Sequence, residues 1–176
     1  MINRNITNIS VSVKARLLNL ARNSKKPFQE LLQYYGMERF LFRLSESNHR
    51  DVFILKGALL LKVWRISDSR ATMDIDTLAR TSNSLENLKK IIKEICEHVP
   101  SIDDGVGFLS SSIRVEKMQL QKAYEGIRIR FEGYLGSARI PMQIDVGFGD
   151  VITPAIEESQ YPNLLDFPGP KLKMYP

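Results

Sequence analysis

The chain has 176 residues, 25 Lys+Arg against 20 Asp+Glu, one cysteine and 43% apolar residues, which suits one compact domain rather than two. No stretch approaches the roughly 18 uninterrupted apolar residues of a spanning helix, and Met1–Ile6 lacks the apolar block of a signal peptide, so a soluble cytoplasmic protein without a membrane partner is expected. Cys96 alone excludes an intramolecular disulfide and a cysteine-pair zinc site; with only His49 and His98 besides, any metal must be held by carboxylates.

The net charge of +5 is unevenly spread: residues 1–70 carry 13 Lys+Arg and 5 Asp+Glu, whereas residues 71–176 carry 12 and 15. A basic half facing a polyanion and an acidic half holding cations would give this split, although a solvated, Lys-rich helical surface is the commoner cause.

In chain order, Val13, Leu17, Leu20 and Ala21 recur at helical spacing over residues 10–22, behind serines able to cap. A second helix is expected from Pro27 towards Ser47, with Leu31, Leu32, Tyr35, Phe40, Leu41 and Leu44 on its apolar stripe and Gly36 as a point where it bends or splits. Residues 51–56 read as a short strand and residues 57–65 as helix, which makes Gly57 a strand-to-helix turn. Met73–Ala79 is a second strand; Asn83 or Ser84 then caps a helix running to about His98. After a loop at 101–111, strands are expected at 112–118, 126–135 and 139–148. In the last, Ile140, Met142, Ile144, Val146 and Phe148 share one face and Asp145 lies on the other. The tail from Thr153 holds five prolines, too many for continuous helix or a central strand. The expected division is an N-terminal helical segment (1–50), a core (51–152) and a Pro-rich tail (153–176) within one domain.

The informative pattern is Asp74-Ile75-Asp76. Two apart on a strand, both carboxylates face one side while Ile75 packs inward, and a hard divalent cation such as Mg²⁺ relieves their repulsion. Asp145 reaches the same site if its strand lies beside that of Asp74 and Asp76. An Asp-x-Asp alone is a weak signal, but Gly57 at a strand-to-helix turn lets backbone amides approach a phosphate, and Lys56, Arg70 and Thr72 add charge and a hydroxyl.

Three stretches carry a resemblance: Phe53-Ile-Leu-Lys-Gly57-Ala-Leu-Leu-Leu61, Arg70-Ala-Thr-Met-Asp74-Ile-Asp76-Thr-Leu78 and Gln143-Ile-Asp145-Val-Gly147-Phe-Gly149-Asp150. In this order they resemble the motifs of the AbiEii/AbiGii toxin nucleotidyltransferases, within the polymerase-β-like superfamily, and the likeness runs over about residues 30–176. The resemblance implies an α/β (α+β) fold, a nucleotidyltransferase-like mixed β-sheet with flanking helices. It implies that Asp74, Asp76 and Asp145 are catalytic and hold Mg²⁺ (or Mn²⁺). Lys56, Gly57, Arg70 and Thr72 would contact the nucleotide. The implied reaction transfers a nucleoside monophosphate from a nucleoside triphosphate to a tRNA or other RNA end, or to a protein hydroxyl, by a toxin paired with a DNA-binding antitoxin. Ala58 departs from the pattern, which usually has Gly or Ser there. Family members also continue past Pro176 into a helix with a Glu-Lys pair, so a C-terminally truncated chain is expected; a catalytically inactive protein that binds nucleotide, RNA or antitoxin is the alternative.

Other residues have plainer readings. Lys56 suits a surface strand end equally well, and a salt bridge from Arg70 to Asp74 or Asp76 would look identical in sequence. Arg128 and Arg130 share one side of their strand, an exposed sheet face being commoner than a nucleic-acid groove. Asp103-Asp104-Gly105 reads as a turn, Cys96 and Trp64 as packing, and His49 and His98 as helix-end residues. A metal-dependent phosphohydrolase or nuclease and a basic RNA-binding module are the rival functions.

Overall fold

The computed structural model describes residues 8–63, 71–121, 124–149 and 156–175. Trp64, Arg70 and Asp150 lie outside the described residues. Helix α1 (Ile9–Ser24) is capped by Asn8, whose side chain accepts from Val11 N, rather than by the serines that follow; it buries Val13, Leu17 and Ala21. Helix α2 (Phe28–Glu46) follows with Pro27 at the N-cap.

Strand β1 (Phe53–Lys56) runs into a 3-10 turn (Gly57–Leu59) and a short helix α3 (Leu60–Val63). Strand β2 (Ile75–Ala79) precedes α4 (Leu85–Glu97), which Ser84 caps. Then come β3 (Val106–Gln121), β4 (Tyr124–Leu135), β5 (Ala138–Gly147), β6 (Glu157–Gln160) and β7 (Lys171–Met174). The seven strands form one mixed sheet in the order β3-β4-β5-β2-β1-β7-β6, with β2 parallel to β5 and β1 antiparallel to β2. This is the expected mixed α/β class. Strand β3 begins at Val106, inside the stretch expected to be loop.

Ile140, Met142, Ile144 and Val146 of β5 and Ile127, Ile129 and Phe131 of β4 are buried, as their alternation requires. They pack against α2, where Phe40, Phe108 and Phe131 form an aromatic cluster with ring centroids 5.2 to 5.9 Å apart. Gly36 does not split α2, which is continuous through it. It lies where the helix crosses β5, and a Cβ there would stand 2.6 Å from Ile140 Cγ2, so the missing side chain permits close helix-sheet approach.

The tail differs from expectation. Two of its segments join the sheet, and β7 lies between β1 and β6, an interior position. Pro162, Pro168 and Pro170 fall outside the paired residues, so no ladder hydrogen bond is lost to them.

Helix α2 is buried on nearly every side from Leu31 to Leu44, including Glu38, Arg39 and Arg43. Its charges are answered by Asp104, itself fully buried. Arg39 Nε donates to Asp104 Oδ2 at 2.7 Å, and Arg43 donates to both carboxylate oxygens at 3.0 Å. Gly105, at φ +82°, makes the expected turn. The carboxylate beside it, however, is an internal ion-pair partner rather than a solvated turn residue. Among the described residues no helix is long and apolar enough to cross a membrane.

Candidate active site

Register brings the acidic residues together. Asp76 of β2 is the Cα partner of Asp145 of β5 in the parallel pairing, and on its other side of Lys56 of β1. Asp145 in turn faces Arg128 of β4, which faces Glu116 of β3. Paired residues point to the same face, so Glu116, Arg128, Asp145, Asp76 and Lys56 form a row across five neighbouring strands, opposite the face packed on α2. Asp74, two residues before Asp76, stands at the entry to β2 on the same side.

Arg128 forks onto Asp145: Nε donates to Oδ1 at 2.8 Å and Nη2 to Oδ2 at 3.0 Å. Such bidentate pairs are the stronger kind of ion pair, and the bond to Asp145 raises the pKa of Arg128. Neither Asp74 nor Asp76 forms an ion pair among the described residues. Burial raises the pKa of Asp76 first, then the like charges of Asp145 and Asp74, with Lys56 and Arg128 opposing. Asp74 is raised in the same way by burial and by Asp145, against Arg128 and Arg130.

The turn at Gly57 touches this row. Gly57 has φ +76°, and a Cβ on it would stand 2.8 Å from the Cβ of Asp76 and overlap the carboxylate. Only glycine accommodates both the backbone conformation and the proximity.

Thr72 turns its hydroxyl back onto its own loop, where Oγ1 accepts from Asp74 N at 3.4 Å and donates to Asp74 O at 3.3 Å. The loop is tied to α2. Thr72 N donates to the Tyr34 hydroxyl at 3.1 Å, and Gln33 Nε2 donates to Pro141 O at 2.5 Å and Met73 O at 3.5 Å. Lys62 Nζ lies 3.9 Å from the centroid of the Tyr34 ring. Tyr34 and Gln33 therefore set where Asp74 enters the site.

Asp74, Asp76, Asp145, Lys56 and Gly57 are thus assembled at one place, with Thr72 acting through the backbone. Arg70 is outside the described residues. Arg128, expected on a plain sheet face, belongs to the site instead, and Tyr34 and Gln33 carried no sequence signal beyond helical periodicity. Arg130 does stay on the exposed face, bonded to Gln143 and Glu116.

Hard oxygen donors on one face, with pKa values raised by burial and by their neighbouring carboxylates, match the chemistry of a Mg²⁺ site built on one or two carboxylates plus water and substrate phosphates. A complete three-ligand cage is another matter. Among the described residues no group of three His, Cys, Asp or Glu side chains converges to hold a metal ion. Both oxygens of Asp145 face the guanidinium of Arg128.

His49 and His98 pair with Glu94 and Glu46 at 2.5 Å and 3.5 Å, and neither belongs to a strand that carries the acidic row. Burial pushes the Cys96 thiol up to about 12, in keeping with packing rather than reactivity.

A family model described as the nucleotidyl transferase AbiEii toxin of a type IV toxin-antitoxin system matches residues 39–176. Among solved structures, JHP933 from Helicobacter pylori is similar at 12% identity over 84% of this chain and 52% of that one, with a TM-score of 0.46. A second H. pylori protein, provisionally described as a nucleotidyltransferase, is similar at 12% identity over 84% of this chain and 54% of that one, with a TM-score of 0.45. The chain spans about half the length of these two proteins. No curated protein matches the sequence.

Proposed function

The chain belongs to the AbiEii family of nucleotidyl transferase toxins, and from that premise we propose that it is a Mg²⁺-dependent nucleotidyltransferase, with Mn²⁺ as a substitute ion. It transfers a nucleoside monophosphate from a nucleoside triphosphate to an acceptor, the end of a tRNA or another RNA or a protein hydroxyl. It acts in the cytoplasm as a toxin countered by a DNA-binding antitoxin. The observation that carries this reading is the placing of Asp74, Asp76 and Asp145 on one sheet face, with Asp76 directly over the Gly57 turn.

Asp74 and Asp76 are the residues that would hold the cation. When bound, the cation lowers the pKa of the acceptor hydroxyl and offsets charge developing on the α-phosphate and the leaving pyrophosphate. The acceptor oxygen forms a bond to the α-phosphorus as the bond to the bridging oxygen breaks, and pyrophosphate departs. Lys56, next to Asp76, and the side-chain-free turn at Gly57 border the space for the triphosphate; Arg70 and Thr72 belong to the same nucleotide-binding set. Asp145 completes the catalytic carboxylates. Tyr34 and Gln33 hold the loop that aims Asp74.

Incubating the protein with each of the four labelled nucleoside triphosphates, Mg²⁺ and RNA tests the reading. Label on the acceptor that disappears in Asp74→Ala is the expected result. Absence of transfer with all four nucleotides, from protein shown to be folded, overturns it; nucleotide loss without labelled acceptor indicates a phosphohydrolase. The fork of Arg128 on Asp145 favours a second reading, a non-catalytic protein that binds nucleotide, RNA or antitoxin. That reading predicts binding without transfer.

A further inference from the structure

Asp145 sits between two competitors. On the β4 side the guanidinium of Arg128 spans both carboxylate oxygens; on the β2 side lies Asp76, whose carboxylate and that of Asp74 have no cationic partner within ion-pair distance among the described residues. Among the described residues the site is therefore unevenly neutralised, with one of its three carboxylates in an ion pair and the other two not. A divalent cation held by Asp74 and Asp76 would stand close to the carboxylate already gripped by a positive charge. Guanidinium and metal repel each other at such short range. The two compete for Asp145, whose oxygens each already accept one hydrogen bond from Arg128.

The face offers the guanidinium a second place. Glu116 of β3 is the cross-strand partner of Arg128 on the side away from Asp145, and its charge already acts on Arg128. It is half exposed and is bonded by Arg130 at 2.8 Å. The Arg128 side chain is itself partly exposed, at 28%. A rotation from Asp145 towards Glu116 keeps the guanidinium on the solvent side of the sheet, and no apolar surface has to open.

We propose, building on the nucleotidyltransferase reading above, that Arg128 is an exchangeable counter-ion of the carboxylate site: it holds Asp145 while no divalent cation is bound, and cation binding displaces it. Arg128 is then a positioning residue, setting when the third carboxylate is available. It also sets how tightly the site takes a cation before nucleotide arrives.

The test is Mn²⁺ binding to the nucleotide-free protein, followed by electron paramagnetic resonance of the free ion, for the wild type, Arg128→Gln, Arg128→Lys, Arg130→Gln and Asp76→Asn. Releasing Asp145 from a charge-assisted fork is expected to tighten Mn²⁺ binding roughly tenfold in Arg128→Gln. Arg128→Lys keeps the charge but loses the fork, so it should bind Mn²⁺ more tightly than the wild type, though by less. Long-range electrostatics alone would leave Arg128→Lys like the wild type, and would make Arg130→Gln, which removes a charge from the same face, equal to Arg128→Gln. Either of those results overturns the proposal. So does wild-type binding that Asp76→Asn abolishes while both Arg128 variants bind no better than wild type; that pattern spares the metal reading itself. Failure of the wild type and both Arg128 variants to bind Mn²⁺ overturns the proposal and the metal-dependent reading together. Thermal unfolding of each variant checks that it is folded, and Arg128→Lys keeps the test informative should Arg128→Gln not fold.

Discussion

Asp76 lies directly over Gly57, so that a Cβ on the glycine would stand 2.8 Å from the Cβ of the aspartate. The contact joins the β1-to-helix turn to the strand carrying the acidic pair, and it fixes how near any phosphate held at the turn comes to those carboxylates. Gly57→Ala meets two costs, a left-handed φ of +76° and a displaced Asp76. It is expected to lower stability by about 2 kcal/mol and to weaken Mn²⁺ binding as well. Urea unfolding and Mn²⁺ titration check this; an alanine variant within about 0.5 kcal/mol of the wild type would show that the turn tolerates a side chain.

The same carboxylates predict a pH effect of definite sign. Asp76 and Asp74 titrate higher in the folded protein than unfolded, because burial and neighbouring carboxylates disfavour their charged forms. The folded state therefore binds more protons, and the stability this contributes is present at low pH and lost as pH rises through the folded values. At neutral pH without cation, Asp76→Asn should be more stable than wild type by roughly 2–4 °C in midpoint, the shift of about 1 kcal/mol for a chain this size. The difference should shrink as pH falls and Asp76 protonates. Millimolar Mg²⁺ should close it from the other side by stabilising only the wild type. Calorimetry from pH 4 to 8, with and without Mg²⁺, gives the answer; a wild type more stable than Asp76→Asn at pH 7 without cation would refute the sign.

How much of this was legible in the sequence depends on how local each contact is. The Arg128–Asp145 pair was readable in principle. Leu135 and Ala138 close a two-residue turn containing Gly136 at φ +59°, and counting outward along the hairpin sets Arg128 opposite Asp145. The pairing of Asp76 with Asp145 was not, because a parallel register between strands nearly seventy residues apart leaves no local mark, and only the family motifs pointed to it. Interior strand β7 is hidden by the nearby prolines, although Pro168 and Pro170 precede its four paired residues and interrupt none of them.

Asp104 shows the opposite failure. Asp-Asp-Gly has turn chemistry, and nothing in its composition tells that one aspartate is at the surface and the next at 0% exposure against two arginines of α2. Removing its charge strands Arg39 and Arg43 in the interior, where Glu38 reaches only Arg39, at 3.1 Å. Asp104→Asn is expected to cost about 3–5 kcal/mol, a large share of the stability of a domain this size. The midpoint should fall by roughly 10 °C or more by circular dichroism. A loss below about 1 kcal/mol would mean that water reaches the cluster.

Tyr34 offers a cleaner separation of position from stability. Its ring is buried under Lys62, a contact that phenylalanine keeps, and only the hydroxyl that accepts from Thr72 N is lost in Tyr34→Phe. The global cost should be about 1 kcal/mol, the worth of one hydrogen bond. Locally the effect is larger in kind: among the described residues the loop from Thr72 to Asp74 keeps the Gln33 tether to α2 alone, so the Thr72 amide should exchange with deuterium roughly tenfold faster. A carboxylate that wanders by a fraction of an ångström aligns a bound substrate less often, which lowers kcat while leaving the affinity for nucleotide nearly intact. Turnover should therefore fall several-fold with KM little changed. If exchange rises equally along all of β2, or if KM rises with kcat unaltered, the hydroxyl serves the core as a whole and does not position Asp74.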